Sequence, residues 1–123
     1  MNSTYLSIII PCFNEKKTIV KVINQIKKIK KIKKQIILID DGSNDGTKEI
    51  IKKKLYKKID KVIYHKKNEG KGSAIISSLK YIKGNLIIIQ DADLEYNPKD
   101  YYKLIKPFTQ KNIMVVYGSR VLG

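Results

Sequence analysis

The sequence predicts an α/β domain whose mostly parallel sheet is flanked by helices, and three observations carry that prediction. Short apolar runs rich in β-formers alternate with segments of helical periodicity, the pattern of consecutive βαβ units. Each of the five strand candidates runs into a polar or charged motif, and open parallel sheets bind ligands at the carboxyl ends of their strands. The length, 123 residues, suits one core rather than two, since a chain of roughly 100 to 150 residues buries about two thirds of its unfolded surface. Residues 1–123 are therefore read as a single domain.

The strands are placed at Tyr5–Ile10, Gln35–Asp40, Lys61–Tyr64, Leu86–Gln90 and Ile113–Tyr117. Between the first two, Ile19, Val22, Ile23, Ile26 and Ile29 recur at helical spacing. A second helix follows Thr47, read as its N-cap, and runs to about Leu55. The third begins near Gly72 and ends at Gly84, which suits a left-handed residue after a helix. A fourth opens with Asn97 as cap and Pro98 in its first turn, and stops before Pro107. Tyr96, Tyr101 and Tyr102 are expected to pack it onto the sheet.

Composition narrows the function classes. The net charge is +15, which invites a nucleic-acid partner, but nearly every cation is Lys, and Ile, Asn and Tyr are abundant too. That mixture is what AT-rich codons encode, so no nucleic-acid partner is inferred. The densest run, Lys27 to Lys34, carries Ile26, Ile29 and Ile32 at three-residue spacing and reads as a helix end with a solvated face; weak attraction to an anionic membrane is its second reading. No apolar run approaches the ~18 residues of a membrane span, and the start lacks a signal peptide's basic and apolar regions. A cytoplasmic protein is expected, with the cytoplasmic face of a membrane as the alternative setting. Cys12 is the one cysteine, so no intrachain disulfide forms.

The chemistry lies at the strand ends. Asp91 and Asp93 follow the apolar run Leu86 to Ile89. Two carboxylates so close raise each other's pKa unless a cation lies between them. A hard divalent ion, Mg²⁺ or Mn²⁺, would take their oxygens and share its other positions with substrate phosphates. Glu95 could add a third oxygen. The competing reading is an acidic turn with Asp93 as a cap. Asp40 and Asp41 follow Ile36 to Ile39 and precede Gly42-Ser43-Asn44-Asp45-Gly46-Thr47; they could hold ribose hydroxyls or a base edge, or serve only the turn. In Asn68-Glu69-Gly70-Lys71-Gly72-Ser73-Ala74, backbone amides at a helix start together with Lys71 could form an anion site, although taken alone a plain loop is the better reading. Arg120 is the single arginine, and a retained planar fork suggests a grip on phosphate. His65 reads as a packed polar residue and Cys12 as a small filler.

Taken together, IIIPCFNE, ILIDDGSNDGT, HKKNEGKGSA, QDADLEYNP and VVYGSR resemble, in order and spacing, the motifs of family 2 glycosyltransferases, and in particular polyprenyl-phosphate transferases of the dolichyl-phosphate mannosyltransferase type. The resemblance covers essentially the whole chain. It implies a Rossmann-like GT-A fold, a nucleoside diphosphate sugar donor, a divalent metal (Mg²⁺ or Mn²⁺) and inversion at the anomeric carbon, with a polyprenyl phosphate or glycan as acceptor. By that resemblance Pro11, Asn14 and Glu15 lie along the base and ribose beside Asp40 and Asp41. Lys71 and Ala92 belong to the donor site, and Asp91, Asp93 and Glu95 hold the metal. Asp93 and Arg120 are the catalytic candidates. Such relatives continue well beyond the Gly118-Ser119-Arg120 segment, so the expectation is a domain lacking its C-terminal part, with a non-catalytic or split donor-binding fragment as the alternative.

Overall fold

The computed structural model describes residues 4–93 and 114–117. Five strands, β1 (Tyr5–Cys12), β2 (Lys33–Asp40), β3 (Lys61–Tyr64), β4 (Leu86–Ile89) and β5 (Met114–Tyr117), form one parallel sheet in the order β3-β2-β1-β4-β5. The order reverses between β1 and β4, the switch point at which a crevice opens in doubly wound sheets. Every strand predicted from the sequence is present: β3 has the expected bounds, and each of the other four has one end shifted by one or two residues. The first runs on to Cys12 because Pro11 lies past the last β1 residue paired with β4, Ile9 opposite Ile89. A residue with no N–H is tolerated there, next to β2 alone.

The central strands are buried on both faces, which is why they read as continuous apolar runs rather than alternating ones. Leu6, Ile8, Ile10, Ile36, Leu38 and Ile88 face one side of the sheet. Ile9, Ile37, Ile39, Ile87 and Ile89 face the other. Each such side chain stabilises the fold by about 1.5–3 kcal/mol relative to exposure. On the first side lies α1 (Ile19–Lys27), which buries Ile19, Val22, Ile23 and Ile26 as its spacing requires. Beside it lies α2 (Thr47–Ile50), which winds on as a π-helical turn, Ile51–Leu55, and a 3₁₀ turn, Tyr56–Lys58. On the second side lies α3 (Lys71–Ser78), followed by the 3₁₀ turn Leu79–Tyr81 and bearing the buried Ala74.

Four local expectations are corrected. Thr47 does not cap α2: Gly46, with φ 103°, occupies the cap position, and Thr47 is the first helical residue. Its amide and hydroxyl both donate to Asp45 Oδ1, at 3.0 and 2.5 Å. The third helix starts one residue earlier than expected and does not reach Gly84. Gly84 is not in the left-handed region; a Cβ on it would lie 2.4 Å from the Tyr5 carbonyl oxygen and 2.7 Å from Ser7 Oγ. Close approach of β1, not helix termination, is what requires glycine here. Its amide donates to Ser7 Oγ, which donates to Gln35 Oε1 at 2.6 Å, a buried polar link between β1, β2 and the entry to β4.

The lysine run, finally, is mostly not helical. Helix α1 ends at Lys27 and β2 begins at Lys33; Ile29 and Ile32 are buried from the intervening turn, and the Lys34 ammonium donates to the Ile29 carbonyl. The run therefore lies at the amino ends of the strands, away from the switch-point rim. The fourth helix, with Asn97, Pro98, Tyr96, Tyr101 and Tyr102, lies outside the described residues.

Candidate functional site

At the carboxyl ends of β1, β2 and β4 a cleft of about 180 Å³ is lined by Pro11, Cys12, Phe13, Glu15, Asp41, Asn68, Gly70, Lys71 and Asp91. Strand pairing builds it: the Asp41 amide donates to the Cys12 carbonyl at 2.8 Å, the His65 amide to Asp40 at 2.9 Å, and the Gln90 amide to Ile9 at 2.8 Å. The ladder thus carries the ends of four strands, β1 to β4, to one rim. Five of the donor-site candidates named from sequence, Pro11, Glu15, Asp41, Lys71 and Asp91, face this one cleft.

Asp41 is the hub. Its Oδ1 accepts from the Glu69 amide at 2.9 Å and lies 2.9 Å from His65 Nδ1; its Oδ2 accepts from the Gly70 amide at 2.8 Å and from Asn68 Nδ2 at 3.1 Å. Burial alone would push this carboxyl up. The hydrogen bonds from the Glu69 amide, His65 and the Gly70 amide outweigh it, and the pKa falls below the ordinary 3.8. Two amides of the loop before α3 are therefore spent on a carboxylate of the protein itself rather than presented to a ligand, as the plain-loop reading expects. Gly70, at φ 102° and ψ 159°, holds a backbone conformation reserved for glycine. His65 is the packed polar residue expected, with Nε2 2.8 Å from Ser77 Oγ on α3.

The two neighbouring aspartates part company. Successive side chains of a strand point to opposite faces, so Asp40 enters the interior while Asp41 meets the cleft. Asp40 is 1% exposed, its Oδ1 has no hydrogen-bond partner, and burial holds its carboxyl above the ordinary value despite hydrogen bonds from Ser43. It does not line the cleft. Beside it, burial and then the Asp40 charge hold the Cys12 thiol far above its ordinary range, which leaves it inert as a nucleophile.

Asn14 also supports rather than lines. With φ 54° it is, among the described residues, the one non-glycine in the left-handed region. Its Oδ1 accepts from the Asn44 amide at 2.8 Å, and its Nδ2 donates to Asn44 Oδ1 at 3.1 Å, a reciprocal clamp between the loops after β1 and β2. Ala92 is 3% exposed, and its carbonyl accepts from Thr18 Oγ1 at 2.5 Å. That bond ties the Asp91–Asp93 segment to the start of α1. Sequence reasoning passed over Thr18, Asn44 and Asn68, because nothing in the local pattern reveals partners 74, 30 and 27 residues away.

Lys71, the first residue of α3, places Nζ 2.6 Å from Asp91 Oδ1. The Glu15 carboxyl is raised by burial and then by the negative charges of Asp93, Asp45 and Asp91, against a hydrogen bond from Thr18. Four carboxylates thus share one electrostatic neighbourhood. Among the described residues no three His, Cys, Asp or Glu side chains are grouped to hold an ion. Glu95 and Arg120 lie outside the described residues.

Residues 7–123 match the family model described as glycosyl transferase family 2. The chain is 31% identical over 137 residues to the UDP-N-acetylglucosamine–dolichyl-phosphate N-acetylglucosaminyltransferase of Methanococcus voltae, covering 98% of this chain and 54% of that protein. It is 32% identical over 111 residues to the undecaprenyl-phosphate 4-deoxy-4-formamido-L-arabinose transferase of Edwardsiella ictaluri, covering 86% and 34%. The chain spans about half the length of the curated relatives it matches, or less. Among solved structures, S. aureus TarS 1-349 in complex with UDP-GlcNAc superposes with a TM-score of 0.66 at 27% identity over 83% of this chain and 31% of that one. The mannosyltransferase PcManGT from Pyrobaculum calidifontis, in complex with GDP-Man and Mn²⁺, shares the fold, with a TM-score of 0.65 at 22% identity over 72% and 27%.

Proposed function

This chain belongs to glycosyl transferase family 2, and from that premise we propose that its cleft holds a nucleoside diphosphate sugar for transfer of the sugar to an acceptor, with inversion at the anomeric carbon. The acceptor in this reading is a polyprenyl phosphate, with a glycan as the alternative. The observation that carries the proposal is the convergence of Pro11, Glu15, Asp41, Lys71 and Asp91 on one cleft at the switch point of a parallel sheet. The names of the Methanococcus and Edwardsiella relatives support the lipid acceptor.

Pro11, Phe13 and Asp41 form the wall assigned to the nucleoside, with Asp40 and Asn14 holding that wall from behind. Lys71 is assigned to the diphosphate, and Arg120 to the sugar or acceptor phosphate. Asp91 and Asp93 fit a divalent ion in their chemistry: they are hard oxygen donors on one strand end, and their charges already disfavour ionisation of Glu15. Mg²⁺ and Mn²⁺ keep several positions for water and substrate phosphates, so two carboxylates with Glu95 as a third are enough. When bound, the ion would supply positive charge to the leaving diphosphate.

In the reaction the acceptor oxygen bonds to the anomeric carbon as the bond to the diphosphate oxygen breaks on the opposite face. A lipid phosphate, with a second pKa of about 6, is already anionic near neutrality and needs little help from a general base. Asp93→Ala is expected to lower Mn²⁺-dependent affinity for UDP- or GDP-sugars at least about tenfold, a loss of roughly 1.4 kcal/mol. Calorimetry with and without Mn²⁺ reads this, and unchanged binding would remove the metal assignment.

Membrane contact is proposed on the cleft rim rather than on the lysine run. The run sits at the other end of an eight-residue strand, about 26 Å away at ~3.3 Å per residue, so docking through it would turn the cleft from the bilayer. Replacing Lys27, Lys28, Lys30 and Lys31 by Gln is expected to leave transfer to a vesicle-borne acceptor within about twofold, since exposed charges more than a Debye length of ~8 Å from the site are screened. A large drop in that assay would return the membrane surface to the lysine run.

A further inference from the structure

The Lys71–Asp91 pair brings together the first residue of α3 and the first carboxylate after β4, with side chains 43% and 15% exposed. Asp91 Oδ1 is an oxygen that the reading above assigns to a divalent ion. An ammonium at 2.6 Å and a hard dication compete for the same lone pairs, because each is drawn to concentrated negative charge. Glu15 and Asp93 add further carboxylates to the neighbourhood, so a cation beside Asp91 relieves their mutual repulsion. Lysine suits exchange: it is a point charge on a flexible four-carbon stem, and here it is nearly half exposed.

We propose that Lys71 is an exchangeable counter-ion, which neutralises Asp91 in the ligand-free protein and yields that carboxylate to the divalent ion when ion and nucleotide arrive together. The inference rests on the metal reading above. It makes ion and nucleotide binding cooperative, since the released ammonium gains a phosphate partner as the carboxylate gains the ion. The coupling is the same from either side.

The test is Mn²⁺ titration of the ligand-free chain, followed by the electron paramagnetic resonance signal of free Mn²⁺, for the wild type, Lys71→Met and Lys66→Met. Lys66 is exposed, lies outside the cleft lining, and removes the same unit of charge. Lys71→Met is expected to tighten Mn²⁺ roughly fivefold, the scale of a partly exposed ion pair. It is also expected to weaken UDP and GDP binding in the presence of Mn²⁺, with the coupling between ion and nucleotide reduced. Lys66→Met should change Mn²⁺ affinity by less than about twofold. Unchanged or weaker Mn²⁺ binding by Lys71→Met would overturn the exchange and leave Lys71 a phosphate ligand alone; equal tightening by Lys66→Met would reduce it to net charge. Absence of Mn²⁺ binding in all three proteins, with or without nucleotide, would remove the metal reading itself and the exchange with it.

Discussion

Asp41→Ala is expected to destabilise the chain by about 3–5 kcal/mol, the cost of removing one partner from a buried charged network, and to lower nucleotide-sugar affinity more than about tenfold (~1.4 kcal/mol). The Glu69 and Gly70 amides, Asn68 Nδ2 and His65 Nδ1 all turn toward this carboxylate, and each of these part-buried donors left unpaired costs up to about 1–3 kcal/mol, less where water reaches it. Asp41→Asn keeps the volume but sets an amide N–H₂ against some of those donors, so an intermediate loss is expected. Urea denaturation reads the stability. A loss below about 1 kcal/mol for Asp41→Ala would mean that water replaces the carboxylate and that the hub does not hold the loop.

The pH dependence follows from the same contacts. The folded pKa of Asp41 lies below its ordinary 3.8, so its contribution is fully present above that value and disappears as pH falls through the depressed folded value. Asp40 acts in the opposite sense: its folded pKa is raised, so ionising it costs stability as pH rises from 3.8 through that raised value. Acid titration of stability should show the loss below pH 3.8 in the wild type and a smaller one in Asp41→Asn.

Gly42→Ala is the second large effect. Gly42 has φ 78°, and a Cβ there would lie 2.4 Å from the Lys67 carbonyl carbon and 2.5 Å from the Asn68 amide nitrogen. The left-handed conformation alone costs an alanine about 1–2 kcal/mol, and the clash is with backbone, which no rotamer change relieves. A total of about 3 kcal/mol or more is expected. Because Asn68 stands in the cleft lining, donor affinity should fall as well. A shift in denaturation midpoint worth less than about 1 kcal/mol would show that the loop after β3 moves aside freely.

What the sequence reveals of this fold follows the range of the forces involved. The five strands were legible because Leu86 to Ile89 and Ile36 to Ile39 are apolar on both faces, and burial on both faces is a local compositional demand. The face of α1 was legible for the same reason, through 3.6-residue periodicity. The ends of helices were less so. Thr47 yielded the cap position to Gly46, and Gly84, which resembles a helix stop in sequence, is a point of contact with β1.

The site divides in the same way. Sequence by itself determined that acidic and glycine-rich motifs fall at the carboxyl ends of parallel strands, and hence that Asp91, Asp41, Lys71, Glu15 and Pro11 meet at one rim; strand connectivity and hydrophobic patterning are sufficient for that. Only the tertiary structure decided what each residue does there. Asp40 and Asp41 are adjacent in the chain and similar in chemistry, yet the pleat of β2 sends one into the interior and the other to four hydrogen-bonding partners in the loop after β3. The physical reason is range: periodicity and propensity act over a few residues, whereas the partners of Asp41, Asn14, Ala92 and Lys71 lie 20 to 74 residues away and are chosen by packing alone.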